Sequence, residues 1–88
     1  MKKSITKQFV KDSYLIPLHR RKLSEMMFLV ENANTLKEIP NCEKMRGHKN
    51  YYRIRIGNYR IGLELDGEVI ILKRFLHRRD IYKYFPGK

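Results

Sequence analysis

A chain of 88 residues with 42% hydrophobic content holds enough apolar material for one small domain with a modest core, and too much for wholesale disorder. The net charge of +11 is uneven: residues 1–43 carry eight Lys/Arg against five Asp/Glu, residues 44–88 twelve against four, so a polyanion is the expected partner, nucleic acid first and an acidic protein segment second. A lone Cys42 excludes an internal disulfide, no apolar run approaches the roughly 20 residues that span a bilayer, and no signal-peptide core follows Lys2 and Lys3, so one cytoplasmic domain over residues 1–88, without a membrane segment, is expected.

Residues 1–5 are short and basic, fit for a brief edge strand. Over residues 6–16 a weak helical pattern puts Phe9, Val10, Ser13 and Ile16 on one side, with Thr6 as N-cap and Pro17 as the stop. The next helix is clearer. Leu23, Met26, Met27, Val30 and Ala33 follow helical spacing, while Arg20, Arg21, Lys22 and Glu25 face outward. His19 lies exposed and idle near its start, and Asn32 and Asn34 mark its end. Residues 35–50 form a connection containing Pro40 and Gly47. In it Lys44, Arg46, His48 and Lys49 gather just before the following strand, either as a solvated loop or as phosphate contacts.

Residues 51–75 read as an antiparallel meander punctuated by Gly57-Asn58 and Asp66-Gly67. With those dipeptides as loops, Arg55 faces Arg60, Arg53 faces Gly62, Gly62 faces Ile71 and Arg60 faces Lys73. Alternation then puts Tyr52, Ile54, Ile56, Tyr59, Ile61, Leu63, Leu65, Ile70 and Leu72 on a core face. Arg53, Arg55, Arg60, Gly62, Glu64 and Lys73 take the other face, with Val69, Ile71 and Phe75 nearby. Arg55, Arg60 and Lys73 form a row whose like-charge pairs cost a sheet ~0.2–1 kcal/mol each. A bound anion relieves that cost, and Gly62 leaves space for close approach; the bland alternative is a solvated basic face. The third strand is apolar on both faces, which argues for a central position. Continued alternation brings His77 out beside Arg60 and Lys73. Residues 78–85 read as a short C-terminal helix sharing Arg78 and Tyr82 on one side, pinned by Ile81 and Phe85 and stopped at Pro86-Gly87.

The helix pair, the basic loop ending in Gly47, the hairpin Tyr52-Arg53-Ile54-Arg55-Ile56-Gly57-Asn58-Tyr59-Arg60-Ile61 and the segment His77-Arg78-Arg79-Asp80-Ile81-Tyr82 together resemble the RelE/ParE superfamily of bacterial type II toxins. The opening from Ile5 to Asp12 is similar as well, so the resemblance covers nearly the whole chain. It implies an α+β fold: two N-terminal helices packed on a curved, mainly antiparallel sheet of about four strands, with a short C-terminal helix.

The RelE branch implies an endoribonuclease that cuts messenger RNA in the ribosomal A site by attack of the 2′-hydroxyl on the neighbouring phosphate. Such chemistry needs a base, cations for the developing charge and an acid for the 5′-oxygen. By resemblance, Arg53 and Arg55 match the family's basic pair, Arg60 its phosphate-binding arginine, Arg78 a C-terminal active-site arginine and Tyr82 its tyrosine. Arg60 and Arg78 are assigned charge stabilisation, Arg53 and Arg55 backbone positioning, and Tyr82 base stacking or proton transfer, or else plain packing of the terminal helix. His77 is the acid or base whose residue type titrates nearest neutral pH, or else a structural strand-end histidine. Lys73, Lys44, Arg46 and Lys49 are expected to bind RNA phosphates. Glu64 serves as base or as a structural partner of Arg53 or Lys73. Neither metal-ligand spacing nor a phosphate-cradling glycine loop is present, so no cofactor is expected. The resemblance implies an antitoxin partner and ribosome-bound message. Two alternatives stand beside the nuclease: a non-catalytic ParE-like poison of DNA gyrase and a plain RNA-binding module.

Overall fold

Thr6 begins the helical part of the chain as expected: its Oγ1 accepts the Phe9 N–H at 3.1 Å. The computed structural model describes residues 2–16 and 20–86; the expected stop at Pro17, the idle His19 and the stop at Gly87 lie outside the described residues. In chain order the elements are β1 (Lys2–Ile5), α1 (Lys7–Leu15), α2 (Arg20–Asn32), a 3-10 turn at Leu36–Glu38, β2 (Cys42–Lys44), β3 (Tyr51–Ile56), β4 (Tyr59–Asp66), β5 (Val69–His77) and α3 (Ile81–Tyr84). Among the described residues the sheet has five strands in the order β1-β5-β4-β3-β2, rather than about four, because β2 forms inside the expected connection. It is antiparallel except that β1 runs parallel to β5. The expected C-terminal helix is shorter than residues 78–85, since Arg78 to Asp80 form a turn before α3. No helix among the described residues is long and apolar enough to cross a membrane.

α1 and α2 cover one face of the sheet. Leu23, Met26 and Val30 from α2, Ala33 just after it and Phe9 from α1 pack on Ile54, Ile61, Leu63, Ile70 and Leu72. Helical and strand periodicities thus meet in one core, as the apolar spacing requires. The opposite face carries a second, smaller cluster, in which Ile81 and Phe85 hold α3 against Met45, Tyr51 and Leu76.

The first hairpin has the expected register: Arg55 pairs with Arg60 and Arg53 with Gly62. The second departs from expectation. Its turn is Gly67-Glu68, with Gly67 at φ 61°, so Asp66 pairs with Val69 and Leu65 with Ile70. A bulge follows: Leu63 pairs with Leu72 but Gly62 with Arg74, which leaves Lys73 as the inserted residue. The inserted residue reverses parity beyond it. Phe75 therefore enters the helix-side core, fully buried, instead of lying on the basic face. Leu76 takes the place opposite Arg60 that was expected for Lys73.

β1 covers β5 only from Val69 to Leu72, so the second half of β5 presents a free edge, a liability in any sheet. Here α1 lies along it. Asp12, 3% exposed, accepts the Phe75 N–H at 2.9 Å and Arg74 Nε at 2.8 Å. Replacing Asp12 with alanine leaves a buried N–H without its acceptor and is expected to lower stability by about 1–3 kcal/mol. The urea-unfolding midpoint reads this; an unchanged midpoint would show that water takes over the edge.

Candidate active site

The face that carries α3 is where the basic side chains converge. Arg55 and Arg60 stand directly opposite each other across β3 and β4, with Arg53 two residues back along β3 on the same face. The Gly57-Asn58 turn sets this register, with glycine at φ 57° supplying the left-handed position. Arg60 Nη1 donates to the turn carbonyls of Gly57 at 2.9 Å and Tyr59 at 3.0 Å, so the guanidinium is fixed near the hairpin end. Loss of solvation, then repulsion from Arg55, pulls Arg60 below the ordinary guanidinium range; Arg53 and Arg78 act in the same direction and Tyr82 in the opposite one. An arginine stays charged regardless. The shift reflects lost solvation first and crowding of positive charge second, and an anion on this face would relieve the crowding.

Arg78 follows β5, and its N–H donates to Asn58 O at 2.7 Å, which ties it to the same turn. Tyr82 projects from α3 with 55% exposure, so it is not core packing. Arg53 links the pair of elements: Nη1 donates to Tyr82 Oη, and the guanidinium lies 5.7 Å from the centre of the phenol ring. Arg46, His48, Arg53 and Tyr82 line one open depression of ≈ 360 Å³, floored by Met45 and Phe85. The structure thus gathers Arg46, Arg53, Arg55, Arg60, Arg78 and Tyr82.

Four expected site residues stand apart. Lys73 shares the face but not the row: its Nζ lies 2.8 Å from Glu64 Oε1, and this hydrogen bond raises its pKa against the opposing effect of burial. Glu64 is accordingly its structural partner. His77 pairs with Tyr59, on the helix side of the sheet, with the rings edge-on at 5.3 Å. The bulge at Lys73 is the cause, since it turns His77 away from Arg60. Lys44 pairs with Tyr52 and so also points to the helix side. Lys49 is exposed in the loop and lines an adjoining depression with Lys44 and Gly47, which shares Met45, Arg46 and His48 with the first but does not include Arg53 or Tyr82. Cys42 pairs with Ile54, and burial, followed by the charge of Glu43, pushes its thiol up to about 11, so it is no nucleophile at neutral pH.

The sequence model of the family described as ParE toxin of the type II toxin-antitoxin system parDE matches residues 4–82. A curated relative, Toxin RelE3 of Methanocaldococcus jannaschii, is 47% identical over 98% of this chain and 100% of its own length. The chain belongs to the RelE/ParE superfamily of type II toxins. This toxin is also similar to the RelB-RelE antitoxin-toxin complex from Methanococcus jannaschii, at 44% identity, TM-score 0.78, and coverage of 94% of this chain and 99% of the other. An archaeal RelE-RelB complex from Pyrococcus horikoshii gives 27% identity, TM-score 0.68, and coverage of 88% and 93%. The first of these neighbours is an antitoxin-toxin complex and the second a complex of RelE with RelB.

Two features of the toxin's site escape a reading of the sequence. Glu43 faces Arg53 across β2 and β3, with Oε1 3.1 Å from Arg53 Nη2. Only the alternation of Cys42, Glu43 and Lys44 hints at the three-residue strand that places it. Gly62 is the other. The space it leaves is filled by the Phe85 ring rather than open to an anion: a Cβ there would lie 2.6 Å from Phe85 Cδ2.

Proposed function

We propose that this type II toxin is an endoribonuclease that cleaves messenger RNA in the ribosomal A site. The observation that carries the reading is the direct opposition of Arg55 and Arg60, with Arg53, Arg78 and Tyr82 drawn around them. A phosphodiester lying on this face would exchange repulsion among guanidinium groups for charge-assisted hydrogen bonds. The ribose 2′-hydroxyl gives its proton to solvent water as its oxygen attacks phosphorus, the bond to the 5′-oxygen breaks, and that oxygen takes up a proton. The products are a 2′,3′-cyclic phosphate and a 5′-hydroxyl. Arg60 and Arg78 stabilise the charge that develops on the phosphorane oxygens, while Arg55 and Arg46 hold the flanking backbone. Tyr82, bonded to Arg53, is the group placed for proton transfer. His77 is given no part, because it lies across the sheet. The positive charge this scheme requires comes from guanidinium groups alone. A cognate antitoxin with an acidic segment would silence the toxin by covering the same face, in keeping with the antitoxin chains beside its structural neighbours.

Purified toxin added to translating ribosomes on a defined message should create new 5′-hydroxyl ends within A-site codons. The description of the matching family as ParE favours a second reading, that of a gyrase poison. Intact message together with gyrase-dependent breaks in supercoiled plasmid would replace the nuclease with that reading. A gyrase poison gives no chemical reason to assemble Arg60, Arg78 and Tyr82 on one face.

A further inference from the structure

We infer that Glu43 is a positioning residue, acting through Arg53 to set the orientation of the Tyr82 hydroxyl; the inference rests on the nuclease reading above. Arg53 is engaged at both terminal nitrogens. Nη2 meets Glu43 Oε1 at 3.1 Å, and Nη1 donates to Tyr82 Oη. A guanidinium is planar and rigid, so fixing one nitrogen directs the other. β2 supports this geometry because its register sets Glu43 directly opposite Arg53.

With an oxygen lone pair of Tyr82 taken up by Arg53, the hydroxyl hydrogen points away from Arg53 and is available for donation. Arg60 lies within electrostatic reach of both Arg53 and Tyr82, so that donation takes place in the arginine group itself. Without Glu43, repulsion among Arg53, Arg55 and Arg60 would swing the Arg53 guanidinium outward and release Tyr82.

Two simpler roles for Glu43 fit poorly. Its side chain is 57% exposed, and an exposed ion pair adds little to folding. A carboxylate on a face that receives a polyanion also works against binding. Orientation of Arg53 is the role that remains.

The test is steady-state cleavage of ribosome-bound message by the wild-type chain, Glu43→Ala, Glu43→Gln, Tyr82→Phe and the double variant Glu43→Ala/Tyr82→Phe. Glu43→Ala should lower kcat by about tenfold, less than the roughly hundredfold or more that a complete acid–base contribution supplies, because the Tyr82 hydroxyl is misdirected rather than removed. KM should stay level or fall, because a negative charge has left the RNA-binding face. Glu43→Gln keeps an oxygen acceptor toward Arg53 and should recover most of kcat. In the Tyr82→Phe background, Glu43→Ala should have no further effect, the coupling expected of residues that act in series. The inference is overturned if Glu43→Ala leaves kcat unchanged, if glutamine fails to rescue, or if the loss persists in full without the tyrosine hydroxyl. A wild-type chain that leaves message intact overturns the nuclease reading and this inference together. A wild-type chain that cleaves while Glu43→Ala cleaves equally well overturns this inference alone.

Discussion

Replacing Arg60 with alanine is expected to slow message cleavage by about two to three orders of magnitude, the usual effect of deleting one preorganised donor to a developing oxyanion. Arg60 is fixed by the turn carbonyls of Gly57 and Tyr59, so its guanidinium is already in place when substrate arrives. It is also the arginine on which the others press, since Arg55, Arg53 and Arg78 all disfavour its charge. That pressure disappears when a phosphate binds and is greatest in relief when the phosphorane carries extra negative charge. Binding should suffer less than turnover, because Arg55 and Arg46 still hold the backbone. The fold should be untouched, as the two carbonyls released at the turn can be hydrated. Arg60→Lys keeps the charge but loses the planar fork, so it should recover only part of the rate. Cleavage rates on A-site message, read alongside thermal melts, check this. A loss below tenfold would move the scissile phosphate away from Arg60.

The arginine pair at the heart of the site was legible because a two-residue turn with glycine in its first position fixes the hairpin register locally. The same rule, applied consistently, selects Gly67-Glu68 rather than Asp66-Gly67 for the second turn. That change of two residues is harmless to facing: Leu63, Leu65, Ile70 and Leu72 stay on the side expected of them. The inserted Lys73 is different, since one extra residue exchanges the faces of everything after it. What favours it is tertiary: Phe75 fills the space beside Phe9, at a ring separation of 6.3 Å, and Leu76 meets α3. No local pattern in Leu72-Lys73-Arg74-Phe75 announces those neighbours, so Lys73 and His77 were misplaced together. The helix pair was readable from apolar spacing, whereas β2 was not, because three residues carry too little alternation to stand out. Glu43 was lost with it. Arg78 and Tyr82 were brought to the site by resemblance to the superfamily, and their approach to Arg60 is a consequence of the turn at Asn58 and the packing of α3.

Gly62→Ala should couple a loss of stability to a loss of cleavage, although Gly62 touches no proposed substrate group. The added methyl would lie 2.6 Å from Phe85 Cδ2 and 2.7 Å from Cγ, well inside contact distance. Phe85 is 2% exposed and wedged against Tyr51 at 5.4 Å between ring centres, so the ring has little room to retreat. Overpacking of this kind costs about 1–3 kcal/mol. The part able to yield is α3, four residues long and held by Ile81 and Phe85. Moving α3 carries Tyr82 off Arg53, and a displacement of about 1 Å at a reacting group can cost about a hundredfold in rate. Tyr82→Phe is the comparison that separates the two effects: it should lower the rate while leaving the melting temperature near wild type. Gly62→Ala should lower both, and combining it with Tyr82→Phe should add little to the rate loss, because the same hydroxyl has already been taken out of place. Should Gly62→Ala cleave message at the wild-type rate, the anchoring of α3 by Phe85 would have no bearing on the chemistry, and Tyr82 would have to be placed by its contact with Arg53 alone.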